Sequence, residues 1–262
     1  MKAVWNTWEQ LDATNKHFEK MMKQQSELCQ TRRPLSFIAQ LDLSDLNTDS
    51  YLGTLFPTTG RLLLFYDCEE QPWGYLPADS TGLRLIWDET PKERIGPRRP
   101  PEALDETTVD WALQYSPVQL IDNETVTPIH SDAPDLFAIL TNRDRRELYA
   151  DWFLEMEEAA SLGSLSPDHR FGGWPSPIQN DMQLECQLVS NGLYLGDGAA
   201  YQTQEAKSLE PGAVDWMLVA QIDSDETSGF MWGDSGKLYV WMRKDDLKNR
   251  DFGKARLILQ SY

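Results

Sequence analysis

An α+β fold built on antiparallel sheet is the class this sequence predicts, and three observations predict it. Short apolar runs bounded by Gly, Pro, Asn and Asp outnumber amphipathic helical stretches. No strand–helix–strand rhythm alternates along the chain, so the crossovers that a parallel sheet needs are missing. One apolar run, with its loop and following strand, also occurs twice. The expected architecture is therefore β-rich antiparallel sheet from an internal duplication related by a pseudo-twofold, with a few flanking helices.

Residues 5–28 predict a helix, because Trp5, Trp8, Leu11, Phe18, Met21 or Met22, and Leu28 recur at three- and four-residue steps, with Thr7 as a cap. Pro34 ends that pattern. Strands are expected over 36–43, 61–67 and 83–87. Residues 91–101 hold Pro91, Gly96, Pro97, Pro100 and Pro101, with Lys92, Arg94, Arg98 and Arg99 among them, and read as an extended loop or linker. Residues 102–115 are expected to be helical. The clearest helix covers 143–162, with Leu148, Trp152, Met156 and Ala159/Ala160 as its apolar stripe and Gly163 as its stop. Strands follow over 183–189, 216–222, 238–243 and 256–260. The organisation that results is an N-terminal helical segment (1–33) and one domain (34–262). Its two related halves (about 34–100 and 165–262) are joined by an acidic, partly helical region (101–164).

The chain has 262 residues, of which 40% are hydrophobic, and its ten Trp, nine Tyr and nine Phe suffice for a core without metal or disulfide. No run approaches 18 consecutive apolar residues, and the first 30 carry charges throughout, so neither a membrane span nor a secretory signal is expected. Cys29, Cys68 and Cys186 lie far apart, as free thiols in a reducing cytosol would. The formal net charge is −18, and residues 101–170 alone contribute −11. Such a field repels phosphate backbones and anionic membranes and speeds encounter with a basic protein, which makes a basic protein the expected partner.

The repeat pairs Phe37-Ile38-Ala39-Gln40-Leu41-Asp42 with Leu218-Val219-Ala220-Gln221-Ile222-Asp223, without gaps. Each copy continues through a loop to a glycine, a basic residue and an apolar strand: Gly60-Arg61-Leu62-Leu63-Leu64-Phe65-Tyr66 and Gly236-Lys237-Leu238-Tyr239-Val240-Trp241-Met242. Regular alternation would put Phe37, Ala39 and Leu41 on one face and Ile38, Gln40 and Asp42 on the other, with Val219, Gln221 and Asp223 matching the latter. Near a pseudo-twofold axis, Gln40, Asp42, Gln221 and Asp223 would converge on a polar centre, with Trp232 and Asp234 beside it. Those groups would either satisfy neighbouring backbone or bind a small ligand.

Asp223, Asp225, Glu226 and Asp234 are hard oxygen donors, but the sixth position from Asp223 is Ser228, where an EF-hand needs glycine. No metal site or cofactor is expected. Trp232-Gly233-Asp234-Ser235-Gly236 reads as a tight turn with glycines at positive φ. His169-Arg170-Phe171-Gly172-Gly173-Trp174-Pro175 also reads as a turn, since it lacks phosphate-loop and nucleophile-elbow spacing. His17, His130 and His169 complete no recognisable triad, and no catalytic residue is predicted.

The run from Pro34 to Leu43, His169 to Pro175, Asp215 to Asp225, Met231 to Lys237, and Gln260 together resemble the YwqG-like family of uncharacterised bacterial proteins. The resemblance covers Pro34 to the C-terminus and implies a cytoplasmic, duplicated, β-rich fold without an established activity. Members usually carry Gly-Gly-x-Pro before the first strand, and nothing of that form precedes Pro34 here. The family is similar to proteins found among toxin–immunity gene clusters. The expected function is a non-enzymatic cytosolic binding protein, immunity-like or inhibitory toward a basic protein. The alternative is a small-molecule or ion-binding protein or enzyme with a polar pocket at the repeat interface.

Overall fold

Strand β1 (Ser36–Asp42), β2 (Arg61–Tyr66) and β3 (Leu83–Asp88) form an antiparallel meander in the order β1-β2-β3. The computed structural model describes residues 35–45, 54–96, 115–121, 123–161 and 167–262. The helix expected over 5–28 lies outside them, as does the one over 102–115 apart from Tyr115. Beyond the meander come helices α1 (Pro134–Ile139) and α2 (Arg143–Ser161), the two-residue strand β4 (Arg170–Phe171), and helices α3 (Gln183–Ser190) and α4 (Gln204–Leu209). Strands β5 (Trp216–Asp223) and β6 (Lys237–Arg243), helix α5 (Lys244–Lys248) and strand β7 (Arg256–Gln260) close the chain. β4, β5, β6 and β7 make the second antiparallel sheet, in that order. Mixed helices and antiparallel sheets make this an α+β protein.

The two sheets face each other across the main core. Ile38, Leu62, Leu64, Tyr66, Leu83 and Leu85 of the first meet Val219, Ile222, Leu238, Val240, Met242, Leu257 and Leu259 of the second. A small cavity of about 40 Å³ remains between them, lined only by apolar side chains, among them Ala39, Leu41, Leu64, Val219, Ala220 and Val240. The far face of the second sheet is also covered. Trp216, Leu218, Tyr239, Trp241 and Ile258 pack there against Met182 and Cys186 at the start of α3.

Strands β1 and β5 depart from regular alternation at the same place. The register shifts between Phe37 and Ala39 in β1 and between Leu218 and Ala220 in β5. An extra residue in one strand of a pair reverses the side-chain phase. Ile38 is therefore buried and Phe37 half exposed, so Phe37 does not share the inner face with Ala39 and Leu41 as alternation predicted. In β5 the same shift turns Val219 inward beside Ala220 and Ile222. Leu218 is left on the α3 side.

Residues 183–189, expected as a strand, are the helix α3. Their short apolar run fits either period, and two features of the fold decide for the helix. The Asp181 carboxylate, one residue before the N-cap Met182, accepts a hydrogen bond from the Gln183 N–H at 3.0 Å and satisfies the first free amide of the helix. Met182, Cys186 and Val189, spaced i, i+4, i+7, are all buried, whereas strand alternation would have turned only one side in. Helix α2 appears where it was expected, but its packing face differs. Phe153 is only 4% exposed, with its ring 5.2 Å from His130, and Tyr149 donates to the Ile129 carbonyl at 2.7 Å. Leu148 and Trp152, expected to be packed, are 69% and 48% exposed. Which apolar stripe is buried was set by the 129–136 segment, which the helix's own periodicity does not contain.

Candidate functional site

A buried glutamine organises the densest polar cluster. Gln221 on β5 is 0% exposed, so its amide must be satisfied within the protein. Its Oε1 accepts from the Ser176 N–H at 2.9 Å, and its Nε2 donates to the Asp168 carbonyl at 2.7 Å and to Asp168 Oδ2 at 3.0 Å. Gln260 on β7 repeats the device two strands away. Its Oε1 accepts from the N–H groups of Ile178 and Gln179 at 3.0 and 3.1 Å, and its Nε2 donates to the Asn180 carbonyl at 2.9 Å. Tyr239 on β6, between them, donates to the Ser176 carbonyl at 2.8 Å. Among the described residues segment 174–180 pairs with no strand, and these side chains supply the hydrogen bonds that a ladder would have given.

Charges complete the cluster. Asp168 takes two 2.8 Å hydrogen bonds from the Arg170 guanidinium, which also donates to the Trp174 carbonyl at 2.7 Å. Lys237 approaches Asp168 at 3.5 Å and Asp223 at 4.0 Å. Burial pushes the Asp168 carboxyl up, but Arg170, Lys237 and Gln221 outweigh it and hold the group below the usual carboxylate range. The Asp223 carboxylate accepts from the Asp168 N–H at 2.8 Å.

His169 lies in the same cluster, with Nδ1 accepting from the Asp223 N–H at 3.1 Å and Nε2 3.9 Å from Asp225 Oδ2. A backbone N–H can only donate, so Nδ1 carries the lone pair and Nε2 the proton that faces Asp225. Burial raises the Asp225 carboxyl, yet hydrogen bonds from Thr227 and Ser228 leave it below its ordinary range. Gly172 and Gly173, at φ +66° and +71°, turn the chain after β4, and a Cβ on Gly173 would sit 2.6 Å from Thr127 Oγ1.

The site residues expected from the sequence fall into two groups. Gln221, Asp223 and Trp232 come together: Trp232 is 0% exposed and its Nε1 donates to the Asp223 carbonyl at 3.1 Å. Gln40 and Asp42 belong to the other sheet. Gln40 is exposed, while Asp42 pairs with Lys92 at 2.7 Å and accepts from the Ser44 hydroxyl, and Lys92 above all holds its carboxyl at about 2. Among the described residues no hydrogen bond or ion pair links these two to Gln221 or Asp223. Asp234 is exposed in the turn before β6. In that turn Gly233 and Ser235 take positive φ, and Gly236 does not. Gly236 is needed for close approach instead, since a Cβ there would lie 2.2 Å from the Gln260 carbonyl oxygen. Sequence reasoning did not assign Asp168, His169, Arg170, Ser176, Asp225, Lys237, Tyr239 or Gln260 to the site. The signal for Asp168 and Ser176 was proximity to the His169–Pro175 run, because loop residues that meet a strand across 45 positions or more leave no periodicity, and Gln260 stood out only through the family resemblance.

A prediction separates the two glutamines. Gln221→Leu is expected to cost about 2 kcal/mol, because it orphans the Ser176 N–H and the Asp168 carbonyl. Gln40→Leu is expected to stay within about 0.5 kcal/mol, as surface changes do. Urea unfolding checks the difference, and amide exchange at Ser176 should accelerate only in the first variant.

A second buried polar layer lies under α3. Gln183 donates from Nε2 to Asp135 at 2.8 Å and to the Trp216 carbonyl at 2.7 Å, and Gln187 Oε1 accepts from Trp216 Nε1 at 2.9 Å. Burial raises Asp181 and Glu185 to about 7 each, and Asp79, in the turn before β3, to about 6. Glu185 keeps one 3.2 Å hydrogen bond from the Tyr201 hydroxyl. Cys68 and Cys186 are buried free thiols, and burial pushes Cys68 up to about 11 and Cys186 well above its ordinary value. Among the described residues no cluster of three or more His, Cys, Asp and Glu side chains is placed to hold a metal ion, and no helix is long and apolar enough to cross a membrane.

No curated protein matches the chain. A domain of unknown function, DUF1963, matches residues 8–261. That span includes the segment before Pro34, where the Gly-Gly-x-Pro pattern is missing. With nearly the whole length matched, from before β1 through the end of β7, the chain belongs to the DUF1963 family of domains of unknown function.

Proposed function

We propose that this protein is a non-enzymatic binding protein of the cytosol, an immunity-like or inhibitory partner of a basic protein. One observation carries the reading: the polar side chains gathered at the end of β5 are spent on the protein's own main chain. Gln221, Gln260, Asp223 and His169 Nδ1 each hold a backbone N–H, and Tyr239 and Arg170 each hold a backbone carbonyl. A general acid or base must turn a lone pair or proton toward a substrate. His169 turns one nitrogen to the backbone and the other to Asp225. The partner's chemistry follows from the charge of −18. A polar pocket shared by the two sheets has less support, because the cavity between them is lined by apolar side chains alone.

The two sheets are read as descendants of one ancestral unit related by a pseudo-twofold, within YwqG-like members of the family. Their matching register supports this. Gln40↔Leu63↔Ile86 corresponds to Gln221↔Tyr239↔Ile258, and Phe65↔Arg84 corresponds to Trp241↔Arg256, with the register shift two residues before each glutamine.

Affinity capture from cells at about 50 mM and 500 mM salt tests the functional reading. A basic protein held at low salt and released at high salt is the expected result. Absence of any basic protein, with recovery indifferent to salt, overturns it.

A further inference from the structure

Helix α2 carries two apolar faces and uses one of them internally. Tyr149, Phe153 and Met156, spaced i, i+4, i+7, form the side turned to residues 129–136, where Phe153 is buried against His130. Leu148 and Trp152 stand one turn apart on the neighbouring side, both exposed. At about 100° per residue, Asp144, Asp151 and Glu155 fall along the outer flank of that pair, and Arg145 falls on the other flank, beside Trp152. Among the described residues, none covers this pair. Exposed large apolar residues rimmed by charge mark contact sites.

We propose that this α2 face is the docking surface for a basic amphipathic helix. Leu148 and Trp152 take the partner's apolar stripe, and Asp144, Asp151 and Glu155 pair with its Lys or Arg side chains. The proposal rests on the binding-protein reading above and specifies its surface. A tryptophan beside a leucine is the kind of anchor that dominates helix-in-groove contacts. A second copy of this chain is disfavoured because it would set one acidic rim against another, and an anionic membrane or nucleic acid is repelled for the same reason.

Two labelled 18-residue peptides of equal positive charge, one Leu/Lys amphipathic and one Ser/Lys, test the surface by fluorescence anisotropy with the full chain. The expected result is at least tenfold tighter binding of the Leu/Lys peptide. Leu148→Ser/Trp152→Ser should lose at least tenfold of it with an unchanged melting temperature, since both side chains are exposed. Asp151→Asn/Glu155→Gln should flatten the salt dependence. If the apolar double variant binds the Leu/Lys peptide as tightly as the unmodified protein, the α2 surface is overturned and the charge-based reading stands. If neither peptide binds at any salt concentration, both fall.

Discussion

Trp232→Ala is expected to destabilise the protein by about 3–5 kcal/mol, the range for truncating a fully buried aromatic residue. Its indole sits where the two sheets are joined. The ring lies 4.9 Å from Phe230, 5.9 Å from Tyr66 on β2 and 6.5 Å from Tyr115. Its neighbours are gripped from the first half, because Gln71 donates from Nε2 to the Met231 carbonyl at 3.0 Å and accepts at Oε1 from the Gly233 N–H at 2.9 Å. Removing the ring therefore opens a cavity and loosens the clip between the sheets. Trp232→Phe should cost less, since it keeps an aromatic ring and loses the hydrogen bond to Asp223, worth about 1 kcal/mol. Equilibrium unfolding in urea measures both. A loss under about 1 kcal/mol for the alanine variant would show that Trp232 does not join the sheets.

Stability is expected to rise, by about 3 kcal/mol, as pH falls from 8 to 5, and then to collapse below pH ~4. Asp79, Asp181 and Glu185 stand at about 6, 7 and 7 in the fold because burial disfavours their charged forms. In the unfolded chain they titrate near ~4. Between these values the native state binds more protons than the unfolded one, so their contribution is complete below pH ~4 and is lost as pH rises through about 7. A shift of one unit corresponds to ~1.4 kcal/mol, and the sum is scaled down because water and relaxation reach these groups. The opposite limb belongs to Asp42 and Asp88, held at about 2, and to Asp168 and Asp225, also lowered. Their stabilisation is present above pH ~4 and is lost as pH falls through their folded values. Reduced self-repulsion of an acidic chain acts in the same direction over pH 8 to 5. Asp181→Asn and Glu185→Gln separate the causes. Each should flatten the pH 5–8 slope, and an unchanged slope in both would assign the effect to net charge alone.

Much of the sheet was legible from residue order. The strands over 36–43, 61–67, 83–87, 216–222, 238–243 and 256–260 lie within a residue or two of those observed, because apolar runs bounded by turn formers define strands locally. Helix α3 was misread because Gln183-Leu184-Glu185-Cys186-Gln187-Leu188-Val189 alternates well enough to pass for a strand. Its bed on Trp216, Tyr239 and Trp241 is a tertiary fact. Of the candidate site, the Gln221–Asp223–Trp232 group was legible because all three residues lie within one hairpin. Asp168 and Ser176 were not, since they reach Gln221 across 53 and 45 residues.

Residue order alone determined the class of the fold, the order of its principal strands and the net acidity of the chain, because propensity, turn chemistry and charge are local or additive properties. Only the tertiary structure decided which faces those elements present. One extra residue in β1 and β5 reversed the side-chain phase, and the packing of residues 129–136 chose Phe153 over Trp152 for burial. A strand's or helix's orientation about its own axis is set by what it packs against, and that information lies elsewhere in the chain.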